Sequence, residues 1–347
     1  MKGKYKRIRQ KKIGVLEFCF VKKKNKHPKS SKKGQYKITN WSSYNQSLKH
    51  RGSLEVWIDK EAVDHWYYQG GRQRGSQFIY SDACIELAAT LRSLYHLPYR
   101  QLTGFMTSVV NQLGWNVLVP DYTVINRRVK RLQIESTLQQ PYTVGKKYIL
   151  IDSTGLKVYG EGEWKVRQHG WSQHRTWRKL HVTVDEASGI IESCELTTNG
   201  IHDADMVEPL IAAIHTKQQI EKMGADGSYD KRKVYACLGK YNIIPVIPPQ
   251  KNARISQHGN YKQVPYSRDI NIRAIRKQGR RIWKQQANYH KRSLVETGIY
   301  RYKTIFGSHL QSRETQRQKV EVKLKCKLLN KMTQIGMPIT ICVKKAA

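Results

Sequence analysis

Four polar side chains near the end of the chain recur at a spacing that would place them on one face of a helix. They are Tyr289, Arg292, Glu296 and Lys303. At about 100° per residue, they fall on a stripe roughly 60° wide, away from the apolar residues of the same stretch. A carboxylate between two cations and a phenol can bind a metal ion or an anion. Ion pairs on a solvated helix face would give the same pattern.

Two aspartates end apolar runs that we predict to be strands. Asp152 ends KYILID, and Asp226 ends MGAD. Carboxylate oxygens are the ligands that Mg²⁺ prefers, and two divalent ions about 3.5–4 Å apart can hold the attacking and leaving oxygens of a phosphoryl transfer. With Glu296, the two aspartates could form such a site, although spacing alone does not select these three from 26 acids. We assign Asp203 and Asp205 instead to a helix start, with Asp203 as its N-cap.

The charge balance of the chain indicates a polyanionic partner. The 347 residues include 63 Lys and Arg against 26 Asp and Glu, a formal net charge of +37. This excess favours nucleic acid first and an anionic membrane surface second. The sequence has no run of about 18 apolar residues, so we expect no membrane-spanning segment. The six cysteines are scattered without a C-x-x-C pair, which is typical of reduced thiols in a cytosolic protein.

The first part of the chain is predicted to be a basic arm followed by a mainly helical region. Residues 1–35 hold 14 Lys or Arg and one acid. This composition cannot bury a core, so we expect a disordered arm. Residues 36–145 form the helical region, in which Trp57 and Trp66 indicate an ordered module.

Three helices are predicted within residues 80–132. Ser81 caps the first, Pro98 opens the second and Asp121 caps the third. A helix, a turn and a basic helix fit a helix-turn-helix DNA reader, although three-helix bundles with a charged face are also common. The candidate DNA-binding residues of the third helix are Arg127, Arg128, Lys130 and Arg131.

From residue 146 the pattern changes to one that predicts a mixed sheet flanked by helices. The last segment, VEVKLKCKLL, alternates like a strand, but we predict a helix because Gly336 and Pro338 would end it. The α/β domain is therefore predicted to span residues 146–337, with a tail at 338–347. The predicted strands are KYILID, WRKLHVTV, GIIESCEL, MGAD and IIPVI; helices are predicted at 204–214, 229–241 and 289–303, and a basic loop at 250–280.

A basic and aromatic segment next to Asp152 could hold DNA near the reacting phosphate. A core position for Trp177, with a solvated loop before it, is the alternative. The segment contains Trp164, Trp171 and Trp177 with Arg167, Arg175, Arg178 and Lys179.

The Y-x2-R-x3-E-x6-K pattern from Tyr289 to Lys303 resembles the signature of DDE transposases of bacterial insertion sequences, in the group that includes the insertion-sequence-four and insertion-sequence-five families. IDSTGLKVYG, WRKLHV, HDADM, GADGSYD and RGSLEVWID are similar to the insertion-sequence-five branch. The resemblance covers roughly residues 40–337 and leaves the basic arm outside.

This resemblance implies an RNase H-like catalytic core. It implies that Asp152, Asp226 and Glu296 bind two Mg²⁺ ions, which Mn²⁺ could replace. The other three residues of the signature would contact phosphates of the element's end; these are Tyr289, Arg292 and Lys303.

The expected activity is metal-dependent cleavage of double-stranded DNA at terminal inverted repeats, followed by strand transfer into target DNA. A homodimer would pair two ends, in the bacterial cytoplasm at the nucleoid. Two alternatives remain: a transposase-derived DNA-binding protein without catalysis, and an RNase H-like nuclease. The presence of all three acids argues against the first alternative.

Overall fold

The computed structural model describes residues 35–58, 63–71, 79–135, 145–158, 177–216, 218–257 and 266–343. The predicted basic arm lies outside these residues, except for its last one. Most of the basic and aromatic segment before Trp177 also lies outside them. The chain forms two compact units, residues 1–40 with 338–347 and residues 41–337.

The described strands and helices alternate in the order expected for an α/β protein. The strands are β1 (Gln35–Ile38), β2 (Lys147–Val158), β3 (Trp177–Asp185), β4 (Ile191–Thr198), β5 (Ile220–Gly224), β6 (Ile244–Val246), β7 (His309–Leu310) and β8 (Thr340–Val343). The α-helices are α1 (Trp41–His50), α2 (Leu54–Trp57), α3 (Asp82–Tyr95), α4 (Tyr99–Gln112), α5 (Tyr122–Val129), α6 (Val207–His215), α7 (Arg232–Lys240), α8 (Ser267–Gln278), α9 (Arg280–Gln286), α10 (Ser293–Phe306) and α11 (Thr315–Ile335).

The central sheet of residues 41–337 has the strand order β4-β3-β2-β5-β6. β2 pairs antiparallel with β3 and β3 antiparallel with β4, whereas β5 is parallel to both β2 and β6. Three antiparallel strands followed by two parallel strands, each reached through a helix, is the RNase H-like arrangement. The predicted mixed sheet flanked by helices is confirmed.

Alternation along β2 divides its side chains between two hydrophobic layers. Ile149 and Ile151 pack with the layer of α6 and α7, whereas Leu150 and Leu156 belong to the layer that includes α10 and α11. Successive strand residues point to opposite faces, so Asp152 lies on the same face as Leu150. The strand therefore presents Asp152 toward the α10 side of the sheet.

The helical region before the sheet packs on the same layer as Leu150. Buried residues of α3 and α4, among them Cys84 and Met106, share a hydrophobic cluster with Leu150 and Val322. The predicted boundary at residue 145 therefore lies inside one compact unit.

The predicted helix starts of this region are confirmed. Ser81 accepts a hydrogen bond from the Cys84 amide, Pro98 is the N-cap of α4, and Asp121 accepts one from the Thr123 amide. The connection between α4 and α5 covers residues 113–121, which is longer than the three or four residues of a helix-turn-helix turn.

Three predictions for the C-terminal part require comment. The final segment is helical, as predicted, and α11 ends before Gly336, whose φ is +154°. The predicted basic loop at 250–280 is wrong, because it contains α8, whose few apolar residues are spread among charges. The predicted helix from Tyr289 begins as a 3-10 turn over Tyr289–Arg292 and becomes α-helical only at Ser293.

The predicted tail at 338–347 contains β8, which pairs antiparallel with β1. Thr39 strengthens this small sheet, because its amide and its Oγ1 both donate to the Ile339 carbonyl oxygen, at 2.9 and 3.1 Å. None of the described helices is long and apolar enough to cross a bilayer.

Candidate active site

The first candidate acid, Asp152, lies within β2 and not at its end as predicted. β2 continues to Val158, but its parallel partner β5 stops at Gly224, which pairs with Leu150. Asp226 follows two residues after that stop. Both aspartates therefore lie at the edge of the sheet where the parallel pairing of β2 with β5 ends. A shared metal site requires them to lie at the same edge.

Asp226 is held by the turn that follows β5. It is the N-cap of a 3-10 turn over Gly227–Tyr229, and its Oδ1 accepts hydrogen bonds from the Ser228 amide at 2.9 Å and from the Ser228 hydroxyl. The other oxygen, Oδ2, has no hydrogen-bond partner among the described residues. One carboxylate oxygen is thus positioned by the backbone and the other remains available.

Arg292 joins two of the three candidate acids. Its Nη1 donates to Asp152 Oδ2 at 3.2 Å, and its Nη2 forms an ion pair with Glu296 Oε1 one helical turn later. The Glu296 side chain is 53% exposed, whereas those of Asp152 and Arg292 are 21% and 18% exposed. The guanidinium therefore occupies the space between a half-buried and an exposed carboxylate.

The charges of the other two candidate acids both act on Asp152. Burial raises the pKa of Asp152; the charge of Arg292 lowers it, and the charges of Asp226 and Glu296 raise it. Burial also raises the pKa of Tyr289, whose phenol senses Arg292, Asp226 and Glu296. Asp152 and Tyr289 thus both sense the charges of Arg292, Asp226 and Glu296.

Lys303 lies further along α10 and belongs to the same stripe as Glu296. Its side chain is half-buried and forms no ion pair with the residues that the structure describes. Unlike Arg292, it is not engaged by the acids and is free to meet an external anion.

Tyr229 is a buried polar group of the site that the sequence analysis missed. Its side chain is 1% exposed, and its hydroxyl has no hydrogen-bond partner in the described part of the chain. Burial raises its pKa, and the charges of Asp203, Asp152 and Asp226 raise it further. The only sequence signal was its position in GADGSYD, where an aromatic residue after a strand is usually a core residue.

Asp203 does not cap a helix, contrary to our prediction. Its Oδ1 accepts a hydrogen bond from Lys179 Nζ at 3.3 Å and lies 3.7 Å from His181 Nδ1. The N-cap position is His202, which makes no side-chain capping bond. Because burial lowers the pKa of His181, this imidazole is neutral near pH 7, and Lys179 is the cation that balances Asp203.

The donor chemistry of the three acids fits a hard divalent cation, because carboxylate oxygens are its preferred ligands. Oδ2 of Asp226 supports this fit, because both hydrogen bonds from Ser228 go to Oδ1 and leave this oxygen open to a cation. In the described residues, however, no three His, Cys, Asp or Glu side chains are grouped closely enough to hold an ion as they stand. The guanidinium of Arg292 lies where two of the ligands would have to converge.

The basic residues of α5 and its end divide into two groups. Arg127 is exposed, and Lys130 and Arg131 lie just beyond the helix, where Lys130 is 3.7 Å from Glu314. Arg128, in contrast, is 8% exposed and donates to the Tyr80 carbonyl oxygen at 2.7 Å and to Asp82 Oδ1 at 2.6 Å. Arg128 is thus a structural residue that joins α5 to α3, which corrects its prediction as a DNA reader.

Two profiles of the transposase DDE domain match this chain, one over residues 144–331 and the other over residues 49–161. The first covers more than half of the 347 residues and includes Asp152, Asp226 and Glu296. The chain belongs to the transposase DDE-domain family. The DDE part of the predicted resemblance is therefore confirmed, and the RNase H-like sheet is the scaffold of a transposase DDE domain.

Solved structures similar to this transposase DDE domain include two kinds of complex. One is the simian T-cell lymphotropic virus intasome in complex with PP2A regulatory subunit B56 gamma, at 14% identity and a TM-score of 0.23, over 60% of this chain and 63% of that chain. The others are the Mos1 strand transfer complex, at 13% identity and a TM-score of 0.21 over 77% and 82%, and the Mos1 mariner paired-end complex with Mn, at 12% and 0.22 over 84% and 92%. The chain thus spans less than two thirds of the intasome chain, and these alignments are too loose to assign a residue or a ligand.

Proposed function

We propose that this protein is an active DNA transposase of the insertion-sequence-five branch from a bacterial mobile element. Its reaction is metal-dependent cleavage of DNA at the terminal inverted repeats, followed by strand transfer into target DNA. One observation supports this most: Asp152 and Asp226 lie at the edge of an RNase H-like sheet where the parallel pairing ends, and Arg292 joins Asp152 to Glu296 there.

Asp152, Asp226 and Glu296 would hold two Mg²⁺ ions, or Mn²⁺ in their place. When bound, the ions neutralise charge on the scissile phosphate and hold the attacking and leaving oxygens. Water would attack the scissile phosphate first and break its bond to the 3′ oxygen, which leaves a 3′ hydroxyl on the element's end and a 5′ phosphate on the flanking strand. This hydroxyl would then attack a phosphodiester of the target, which joins the element to the target strand and releases a 3′ hydroxyl of the target. No covalent bond to the protein forms in either step.

Arg292 must leave at least one carboxylate before the three acids can converge, because its guanidinium joins Asp152 to Glu296. A DNA phosphate offers the guanidinium an alternative bidentate partner. We therefore infer that Arg292 exchanges carboxylates for the phosphate of the element's end, and that Tyr289 and Lys303 contact the same backbone. Binding of DNA would then release the carboxylates of Asp152 and Glu296 for metal binding.

End recognition is proposed for the exposed cations at α5, which are Arg127, Lys130 and Arg131. A homodimer would pair two double-stranded ends, so that each protein copy acts on one end. With a net charge of +37, such a protein would remain associated with the bacterial nucleoid.

The test uses element-end DNA taken from the sequence that flanks the reading frame, where short inverted repeats bounded by duplicated target bases are expected. Labelled duplex is incubated with Mg²⁺ and the wild-type protein, Asp152→Asn, Asp226→Asn or Glu296→Gln. Each amide removes a ligand charge but keeps the side-chain volume, so cleavage should fall by about 1000-fold, which corresponds to about 4 kcal/mol of transition-state stabilisation. Affinity for the same duplex should remain within about three-fold.

Near wild-type cleavage by one of these variants would remove that residue from the site. Specific binding without cleavage by the wild-type protein, in Mg²⁺ and in Mn²⁺, would instead favour the DNA-binding protein without catalysis. Equal cleavage of end DNA and of unrelated branched DNA would favour a nuclease.

A further inference from the structure

A polar cleft lies beside the segment that carries Asp226. Its volume is about 400 Å³, and it is open to solvent on one side. Four of its lining side chains are cations and one is a carboxylate. The lining residues are Asp230, Lys231, Arg232, Arg254, Ile255, Ser256 and Arg268.

One wall of the cleft is fixed by Asp230, whose side chain is fully buried. Its two oxygens accept hydrogen bonds from Arg268 Nε and Nη2 at 2.7 and 3.0 Å, from the Gln250 amide at 2.9 Å and from the Tyr235 hydroxyl at 3.1 Å. These bonds join the segment after β5 to the segment after β6 and to α8. The charge of Arg268 is balanced by Asp230, so Arg268 belongs to the framework of the cleft.

The opposite wall is fixed by a second buried aspartate, Asp269. Its carboxylate accepts hydrogen bonds from the amides of Ser256, at 3.0 Å, and Gln257, at 2.8 Å. Arg268 Nη1 also donates to the Arg254 carbonyl oxygen at 3.2 Å. The loop that carries Arg254 is thus held on α8 by backbone contacts, which leave the Arg254 guanidinium outside this network.

The remaining three cations of the cleft are exposed. Lys231, Arg232 and Arg254 form no ion pair with any residue that the structure describes. Two other lysines of α7 behave differently, because Lys233 pairs with Asp205 and Lys240 with Glu208. Asp205 and Glu208 therefore neutralise lysines of α7 outside the cleft, whereas no described acid neutralises the three exposed cations inside it.

We propose that this cleft binds the phosphodiester backbone of DNA next to the reacting phosphate. The inference rests on the proposed transposase function and adds a second backbone site to it. Exposed Arg and Lys side chains on a rigid, hydrogen-bonded wall are suited to phosphate oxygens, and such contacts set the register of DNA without reading its bases. Asp226 and Asp230 follow β5, and the loop that carries Arg254 follows the adjacent parallel strand β6, so the cleft lies at the same edge of the sheet as Asp226.

The test compares two double variants that each remove one lysine and one arginine. Lys231→Ala with Arg254→Ala removes two of the three exposed cations of the cleft, whereas Arg276→Ala with Lys277→Ala removes two exposed cations from α8 outside the cleft lining. Fluorescence anisotropy measures affinity for element-end duplex from 50 to about 300 mM NaCl. The cleft variant should bind about ten-fold more weakly at 150 mM NaCl, and its log–log salt slope should be smaller by about 1–2. The control variant should stay within about two-fold.

Phosphate ethylation interference then tests whether the cleft variant has lost contacts to particular phosphates near the cleavage point. Ethylation of one or two phosphates near the cleavage point should weaken binding of the wild type and the control variant, but not of the cleft variant. Equal affinity losses in the two double variants, or an unchanged interference pattern, would overturn the proposal. Thermal stabilisation by inorganic phosphate that the cleft variant loses, with unchanged DNA affinity, would assign the cleft to a free phosphate and would also overturn it.

The same experiment separates this inference from the proposed function. Failure of the wild type to bind or cleave end DNA contradicts the transposase itself. Normal binding and cleavage by the cleft variant contradicts only the second backbone site.

Discussion

Two arginine–aspartate pairs in this protein have similar distances and opposite environments. Arg268 and Asp230 form a pair in which the aspartate side chain is fully buried and each of its oxygens accepts two hydrogen bonds. Arg292 and Asp152 form a pair that remains partly exposed and shares its guanidinium with Glu296. The saturated pair has no capacity for a new partner. The aspartate of the unsaturated pair can exchange Arg292 for a divalent metal ion. Hydrogen-bond saturation of the aspartate therefore separates the structural pair from the pair in the proposed metal site.

The largest difference expected between the two pairs is in their contribution to the free energy of unfolding. Removing one member of a buried pair leaves an uncompensated charge, so Asp230→Asn should lower the free energy of unfolding by roughly 3 kcal/mol. Asp152→Asn removes one charge of the partly exposed pair and should change it by less than about 1 kcal/mol. Urea denaturation at pH 7 measures both values. Equal losses in the two variants would show that saturation does not separate the pairs.

The pH dependence of the Asp230 effect follows from the direction of its pKa shift. Although burial acts to raise it, hydrogen bonds from Arg268 and Gln250 hold the pKa of Asp230 below its ordinary value of 3.8. Its contribution to stability is therefore complete above the unfolded pKa and disappears as pH falls through the folded pKa. The difference between wild type and Asp230→Asn should be constant from pH 5 to 7 and should shrink below about pH 4.

An intermediate effect is expected on metal affinity. Arg292→Ala removes the cation between two candidate ligands, so Mn²⁺ should bind about ten-fold more tightly in the absence of DNA, about 1.4 kcal/mol. Arg268→Ala should leave Mn²⁺ affinity unchanged, although it destabilises the fold. Isothermal titration with Mn²⁺ at a temperature where both variants are folded gives the values. Weaker Mn²⁺ binding by Arg292→Ala would mean that the arginine supports the metal site.

The same Arg292→Ala variant should assemble poorly with element-end DNA in Ca²⁺, because it also loses the proposed phosphate contact. A normal gel-shift complex that fails only after transfer to Mg²⁺ would contradict that contact and place Arg292 in the cleavage step.

The arginines of α5 extend the comparison to a third pair, and the smallest effect is the one expected for the exposed Arg127. Arg128 is buried against Asp82 and Tyr80, so Arg128→Ala should cost about 2 kcal/mol of stability. Arg127→Ala should leave stability unchanged and reduce discrimination between end DNA and random DNA by about three- to ten-fold, if it reaches a base edge. Competition gel shifts measure the discrimination. Unchanged discrimination by Arg127→Ala would remove α5 from end recognition.

The sheet was predictable because it depends on local patterns, whereas the three acids were selected from 26 by the resemblance. Apolar runs end in Asp152 and Asp226, and these strands are placed side by side by the RNase H-like topology. Helix starts at Ser81 and Asp121 were equally local, because a capping side chain bonds an amide two or three residues away.

The partners of the charged side chains were not predictable, because they are distant in sequence. Arg128 meets Asp82 46 residues away, and Arg292 meets Asp152 140 residues away. Helical periodicity places Arg128 on the basic side of its helix. In the folded chain, however, Arg128 is buried and pairs with Asp82 of α3. Tyr229 could not be selected from the sequence, because two of the three carboxylates that act on it, Asp152 and Asp203, lie outside its own motif.

The extension of β2 beyond Asp152 has a mechanical consequence for the site. At the start of α10, Arg292 is bonded to Asp152; just after its end, the chain returns to β2, where β7 pairs with Lys157 and Val158. The Lys157 amide also donates to the Ser308 carbonyl oxygen at 2.9 Å. The joint after α10 is made of backbone hydrogen bonds and does not depend on the arginine. When Arg292 exchanges its carboxylates for a DNA phosphate, as proposed, β7 still anchors the helix that carries Glu296 to the strand that carries Asp152.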